Sequence, residues 1–229
     1  MIKNLKKYAV IVAGGSGSRM KSDIPKQFIE IGGMPILMHT INNFKNADKN
    51  TEIIVVLPSA HISTWKKLCE DFHFEVPHQI KPGGTSRFKS VKNGIEGLDT
   101  ESLVAIHDGV RPFTSVNTIN NAYSVAYEKG NAIVVVPLKD SVREVTNAGA
   151  ENIARDRSLY RLVQTPQTFL TSILKEAYNV EERDTFTDDA SVVEFFGIKI
   201  NLVEGSYRNI KITTPEDLLF AKILLDKSF

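Results

Sequence analysis

Short uninterrupted apolar runs alternate along most of this chain with longer segments whose apolar residues recur every three or four positions. The runs Tyr8-Ala9-Val10-Ile11-Val12, Ile53-Ile54-Val55-Val56-Leu57, Leu103-Val104-Ala105-Ile106 and Ala132-Ile133-Val134-Val135-Val136 are too short for helices. They are apolar on both faces, as central parallel strands are. Between them, Ile36, Leu37, Thr40, Ile41 and Phe44 mark a helix with Pro35 in its first turn. Residues 62–72 form the next helix. Phe88, Val91, Ile95 and Leu98 mark a third, and Ile119, Ala122, Tyr123 and Ala126 a fourth. A short edge strand is predicted at residues 74–76. Helices at 172–178 and 188–196 and a strand at 198–202 follow. Thr214, Pro215 and Asp217 open a last helix as a variant capping box, with Leu218, Leu219, Ala221, Ile223 and Leu225 as its apolar side. This alternation predicts an α/β fold, a mostly parallel sheet covered by helices on both faces.

The pattern breaks at residues 140–157. Ser141-Val142-Arg143-Glu144-Val145 and Ile153-Ala154-Arg155 flank the turn-like Asn147-Ala148-Gly149-Ala150, which predicts a hairpin projecting from the sheet. A two-stranded hairpin standing alone is marginal, so a second subunit is its expected cover. With no internal repeat and no linker, we expect one domain over residues 1–229, with 140–157 as an inserted β-arm.

Composition narrows the classes of function. Apolar residues make up 42% and charged residues 24%, ordinary globular usage that excludes disordered and fibrous classes. A net charge of +1 gives no general attraction to nucleic acid or to an acidic membrane, and neither is an expected partner. Cys69 is the single cysteine, which excludes an internal disulfide framework and a multi-cysteine metal cluster. The apolar run after the N-terminal lysines is too short for a membrane span and leads straight into glycines, so a cytoplasmic protein is expected.

The most informative segment is Ala13-Gly14-Gly15-Ser16-Gly17-Ser18-Arg19-Met20, followed by Pro25-Lys26-Gln27. Glycines directly after a buried strand let the backbone turn and present amide hydrogens to phosphate oxygens, and Arg19 and Lys26 add positive charge. Met20 stands where a dinucleotide-binding fingerprint needs its third glycine, and the Gly-Lys-Ser/Thr of an ATPase loop is missing.

This loop resembles that of the nucleotidyltransferase superfamily, Gly-Gly-x-Gly-x-Arg-Met followed by Pro-Lys. Further on come Pro82-Gly83-Gly84-x-x-Arg87-x-x-Ser90-Val91, His107-Asp108-Gly109-Val110-Arg111-Pro112, Thr165-Pro166-Gln167, Thr187-Asp188-Asp189-Ala190-Ser191 and Asn209-Ile210-Lys211-Ile212-Thr213. In this order, from residue 8 to about 225, they resemble the 2-C-methyl-D-erythritol 4-phosphate cytidylyltransferases of non-mevalonate isoprenoid synthesis. The ribitol-5-phosphate cytidylyltransferases are similar over nearly the same length, which leaves the acceptor open.

The resemblance implies a Rossmann-like fold of the nucleotide-diphospho-sugar transferase type with a dimerising arm, and CMP transfer from CTP with Mg²⁺. Arg19, Lys26 and Lys211 would surround the α-phosphate. Ala13, Gly14, Gly15, Gly17 and Ser18 would cradle the triphosphate, while Gly83, Gly84, Arg87 and Ser90 would recognise cytidine and ribose. Asp108, with Gly109 allowing close approach, would hold ribose or the metal, and Arg111 would contact phosphate or order its own loop. Asp140, Ser141 and Arg157, from the neighbouring subunit of a homodimer, would bind the acceptor, with a lesser contribution from Thr187. Ser141 stands where those enzymes carry threonine. A CTP sensor without turnover is the alternative of a different class, and retention of the four cations at 19, 26, 157 and 211 speaks against it.

Overall fold

The computed structural model describes residues 5–15, 20, 24–146 and 149–226. In chain order the elements are β1 (Lys6–Val12), β2 (Glu30–Ile31), β3 (Met34–Pro35), α1 (Ile36–Ala47), β4 (Glu52–Leu57), α2 (Ile62–Asp71), β5 (Gln79–Pro82), α3 (Arg87–Ile95), β6 (Ser102–Asp108), α4 (Val116–Lys129) and β7 (Asn131–Pro137). They continue with β8 (Val142–Thr146), β9 (Glu151–Arg155), β10 (Arg161–Leu170), α5 (Thr171–Ala177), α6 (Asp189–Phe195), β11 (Leu202–Glu204) and α7 (Pro215–Asp226).

Seven strands form one sheet in the order β11-β7-β10-β6-β1-β4-β5. All neighbours are parallel except β10, which runs antiparallel to both β6 and β7. The alternation of side chains along β1 feeds two cores. Ala9 and Ile11 pack with α1, α2 and α4 on one face, and Tyr8 and Val10 with α3, α5 and α6 on the other. The expected mostly parallel α/β sheet with helices on both faces is therefore what the chain forms. Among the described residues no helix is long and apolar enough to cross a membrane.

Several expectations need correction. The edge strand lies at Gln79–Pro82 and not at 74–76, because pairing with β4 begins only at Ile54 opposite Gln79, while Phe74 packs edge-on to Trp65. Pairing of β11 with β7 likewise starts at Leu202, so the predicted strand at 198–202 moves to 202–204. Ile198 and Ile200 instead pack against the second core. Pro35 precedes α1 as its N-cap and closes the small β2–β3 hairpin. β10 was not expected at all. Lys211, expected between Ile210 and Ile212 as the outward member of a strand, lies outside any strand, in a segment held by the bond from Ile212 N to Val110 O (2.9 Å). In α7 only Ala221 is buried, and Leu219 and Ile223 face solvent. Asp217 does cap it, its Oδ2 accepting from the amides of Thr213 and Thr214 (2.8 and 2.9 Å).

The predicted hairpin is present. β8 and β9 pair with each other from Val142–Arg155 to Thr146–Glu151 and with no other strand, and both are largely exposed. Residues 147 and 148 of its turn lie outside the described residues.

Candidate active site

The strand order reverses direction around β1, since β4 and β5 follow on one side and β6 on the other. Open α/β sheets bind ligands at the carboxyl ends of strands flanking such a point. Three backbone bonds gather the loops there: Ala13 N to Val56 O (2.9 Å), Gly109 N to Val12 O (2.9 Å) and Gly83 N to Leu57 O (2.7 Å). Together they wall a cleft of about 270 Å³ lined by Ala13, Gly14, Gly15, Lys26, Gly84, Arg87, Ser90, Asp108 and Lys211, among others. Of the expected nucleotide residues that are described, all but Gly83 and Gly109 line this one cavity. Gly17, Ser18 and Arg19 lie outside the described residues.

Glycine is required at two points of this wall. A Cβ on Gly84 would stand 2.3 Å from Cβ of Lys89, and one on Gly109 would stand 2.9 Å from Cβ of Ala13. The first collision would push the turn off α3, and the second would force β1 and β6 apart at the floor of the cleft. Ser90 fixes the Gly84 turn: its hydroxyl accepts from Gly84 N (3.1 Å) and donates to Ser86 O (2.8 Å). Its place is therefore to shape this wall of the cleft. Lys26 sits in a single 3-10 turn anchored by buried Gln27 and Phe28, the latter stacked on Trp65. The lysine side chain passes over Gly15, whose added Cβ would lie 3.4 Å from Lys26 Cε.

Asp108 ends β6 opposite Val12. Its Oδ2 accepts from Arg111 Nε (3.0 Å) and Lys211 Nζ (3.1 Å). Burial alone would raise its pKa, but Lys211, Arg87 and Arg111 hold it well below the usual carboxylate range. Arg111 is buried and gives its remaining reach to Asn209 O (2.8 Å), so it orders its own loop. His107, wholly buried, is pushed down to about 4 by burial, opposed by Asp108, and is neutral at physiological pH. It lies against Phe44 and Arg111 O, behind the cleft.

Arg87 has a second engagement that the sequence did not show. It lines the cleft, but its two terminal nitrogens grip the carboxylate of Asp189 at 3.0 and 2.6 Å, and Tyr178 Oη donates to the same carboxylate at 2.6 Å. Burial would lower the arginine's pKa, and attraction to Asp189 more than offsets it, holding it above its ordinary value. Asp189 and Tyr178 were not foreseen, since nothing local in the sequence links them to a residue 102 positions away. Asn209, Thr165 and Thr114 were missed as well. Asn209 and Thr165 stand inside recognisable motifs but bond across the fold, and a buried polar residue within such a motif was the available signal.

Asp140, Ser141, Arg157 and Thr187 do not line this cleft, and all four are exposed. Arg157 is at the root of the arm, where its guanidinium donates to Lys139 O.

Among the described residues no three His, Cys, Asp or Glu side chains are grouped to hold a metal. Among the described residues Asp108 is the one carboxylate in the cleft wall. That donor set suits a hard cation carried in on phosphate oxygens and supported by one carboxylate, as Mg²⁺ is bound in nucleotide sites.

The chemistry available is anion binding by two glycine turns with ammonium groups at both sides. The family profile described as "IspD: 2-C-methyl-D-erythritol 4-phosphate cytidylyltransferase" matches residues 8–227. A protein of that name from Bacteroides thetaiotaomicron is 48% identical over 96% of this chain and 100% of its own length. One from Porphyromonas gingivalis is 47% identical over 96% and 98%. The crystal structure of 4-diphosphocytidyl-2C-methyl-D-erythritol synthase from Anaerococcus prevotii superposes with a TM-score of 0.84 at 31% identity, over 99% of this chain and 98% of that one.

Proposed function

The chain belongs to the 2-C-methyl-D-erythritol 4-phosphate cytidylyltransferase family, and from that premise we propose that it transfers CMP from CTP to 2-C-methyl-D-erythritol 4-phosphate. The products are 4-diphosphocytidyl-2-C-methyl-D-erythritol and pyrophosphate. An oxygen of the acceptor phosphate forms the new bond to the α-phosphorus, and the bond from that phosphorus to the bridging oxygen of pyrophosphate breaks. The attacking oxygen is already ionised at neutral pH, so no general base is needed, and neutral His107 is not required as one. Catalysis then rests on alignment and on charge placed where the transferring phosphoryl group gathers it.

The observation that carries the reading is the convergence of Lys26 and the Asp108–Lys211 pair with both glycine turns in one cleft at the sheet's switch point. Lys26 and Lys211 act on the α-phosphate, and Arg19 is assigned with them on its motif. The Gly83-Gly84 turn, braced by Ser90, takes the cytosine, since a backbone wall at this distance admits a pyrimidine more readily than a purine. Asp108 would help to hold Mg²⁺, which would supply charge neutralisation to the triphosphate and the departing pyrophosphate.

The acceptor half of the site comes from the arm. Arg157, Asp140 and Ser141 are exposed beside a hairpin whose apolar Val145 and Ile153 face outward, and Leu159 is 80% exposed at its root. A second copy that covers these residues would bring Arg157 over the neighbour's cleft, in a homodimer with two-fold symmetry. Thr187 would contribute only from outside, ahead of the Asp188 cap of α6.

The test is to supply CTP and Mg²⁺ with methylerythritol phosphate, with ribitol 5-phosphate, or with no acceptor, and to measure pyrophosphate and the CDP-linked product. Product with methylerythritol phosphate alone is expected. Product with ribitol 5-phosphate instead would overturn the acceptor, and pyrophosphate independent of any acceptor would overturn the transfer.

A further inference from the structure

Lys211 is carried on a segment without regular secondary structure, yet its ammonium must be held at a fixed place for it to act on a phosphate. Downstream the segment is pinned by Asp217, which also accepts from Thr213 Oγ1 (3.0 Å). Upstream the anchor is Asn209, 1% exposed and two residues before the lysine. Its Nδ2 donates to Thr165 O (2.8 Å) and Gln164 Oε1 (3.2 Å), and its Oδ1 accepts from Thr114 Oγ1 (2.8 Å). Its own carbonyl accepts from Arg111 Nη1 (2.8 Å).

Three of these partners, Arg111, Thr165 and Thr114, lead back to Asp108. Arg111 binds the Asp108 carboxylate through Nε, and Thr165 Oγ1 accepts from the Asp108 amide (3.0 Å). Thr114 lies on the loop that begins at Asp108 and turns through Arg111. One amide side chain therefore ties together the two segments that bring Lys211 and Asp108 within 3.1 Å of each other. An aliphatic residue would fill the space but leave Thr165 O, Gln164 Oε1 and Thr114 Oγ1 to find other partners. We infer that Asn209 is a positioning residue for the transfer step, setting the place of the Lys211 ammonium over the cleft through Asp108, Arg111 and Thr165. The inference rests on the role given to Lys211 above.

A buried asparagine also stabilises the fold, so the experiment must separate placement from stability. Asn131 is a suitable control. It is equally buried, its Nδ2 donates to Lys199 O and its Oδ1 accepts from Asn201 N. It begins β7, at the end of the sheet opposite the cleft. The measurements are kcat, KM for CTP and urea stability for N209A, N209S, K211A, N209A/K211A and N131A.

Displacing a charge-stabilising group costs part of what its removal does, so N209A should lower kcat by about 10- to 100-fold with KM for CTP within about threefold. N131A should lose comparable stability and keep its kcat. In the K211A background, Asn209→Ala should slow turnover by less than about twofold, because there is no ammonium left to place. Losses that multiply in the double variant would overturn the inference, as would an N131A enzyme slowed as much as N209A. If N209A does not fold, N209S is judged by the same criteria. Full turnover by K211A would instead overturn the role of Lys211 itself. A slow K211A beside an unimpaired N209A would remove only the present inference.

Discussion

Replacing Asp189 by asparagine tests whether a buried charge pair builds the wall of the nucleotide cleft. The carboxylate is wholly buried and accepts three hydrogen bonds, two from Arg87 and one from Tyr178. Asparagine retains one acceptor oxygen and turns an NH₂ toward a second donor. At least one charge-assisted bond is lost, and Arg87 is left with no carboxylate partner. Losing one member of a fully buried pair costs 3–5 kcal/mol, but the Arg87 side chain is 32% exposed and water screens part of its charge, so D189N should cost about 3 kcal/mol. For a chain of this length that lowers Tm by about 6–12 °C. Urea unfolding followed by circular dichroism reads the loss directly. Arg87→Met should then cost less in the D189N protein than in the parent, since the stranded guanidinium is gone. The Gly84 turn and α3 begin beside Arg87, so KM for CTP should rise in D189N. A D189N protein within about 0.5 kcal/mol of the parent, or equal costs of R87M in both backgrounds, would refute the reasoning.

Other outcomes follow from the same geometry. K26A should remain folded and lose about 100- to 1,000-fold in kcat, measured by pyrophosphate release, as expected for a preorganised charge-stabilising donor. Arg157→Ala should chiefly raise KM for the acceptor, and mixing R157A with K26A homodimers under subunit exchange should restore turnover toward half of wild type per heterodimer. G84A should weaken CTP binding by at least about tenfold in titration calorimetry, because its Cβ would overlap Lys89. His78 accepts from Nε1 of Trp65, the single tryptophan, and donates through Nδ1 to Val76 O. Burial lowers its pKa below the ordinary 6.5. The unfolded chain therefore takes up this proton first, and the stability present above pH 6.5 is lost as pH falls toward the folded pKa. Trp65 emission should titrate in that range in the parent and stay flat in a His78→Phe protein.

The central strands were legible because burial on both faces writes an unbroken apolar run, and β1, β4, β6 and β7 all carry one. β10 is just as central but was invisible. Its buried segment is Gln164-Thr165-Pro166-Gln167-Thr168-Phe169, and the side chains of Gln164, Thr165 and Gln167 are satisfied by distant partners. Gln164 donates to Ser206 O, and Gln167 bonds Asp188 and the Ala190 amide. Such partners leave no local periodicity, and a proline inside the run argues against a strand. The site divides in the same way. Lys26, Asp108 and the glycine turns lie in compact motifs beside strand ends, whereas Lys211 was singled out only by the resemblance of its motif at residues 209–213. Arg87 lines the expected wall, and its ion pair with Asp189 could not be read from the sequence because it exists only after α3 and α6 have packed.

The single antiparallel strand has a consequence for how this molecule can change. Because β10 returns along β7, with Arg161 opposite Pro137, the arm is a long hairpin connection between two strands already hydrogen-bonded to each other. Lengthening, shortening or recolouring that connection alters no register elsewhere in the sheet. Its root opens at the end of the sheet where β6 delivers Asp108, so every such change is made at the same end of the sheet as the cleft. The nucleotide half of the site is built into strand ends and glycine contacts that tolerate little substitution. The arm is free to diverge, and on the proposed reading selectivity for a new phosphorylated acceptor is acquired there while the cleft stays as it is.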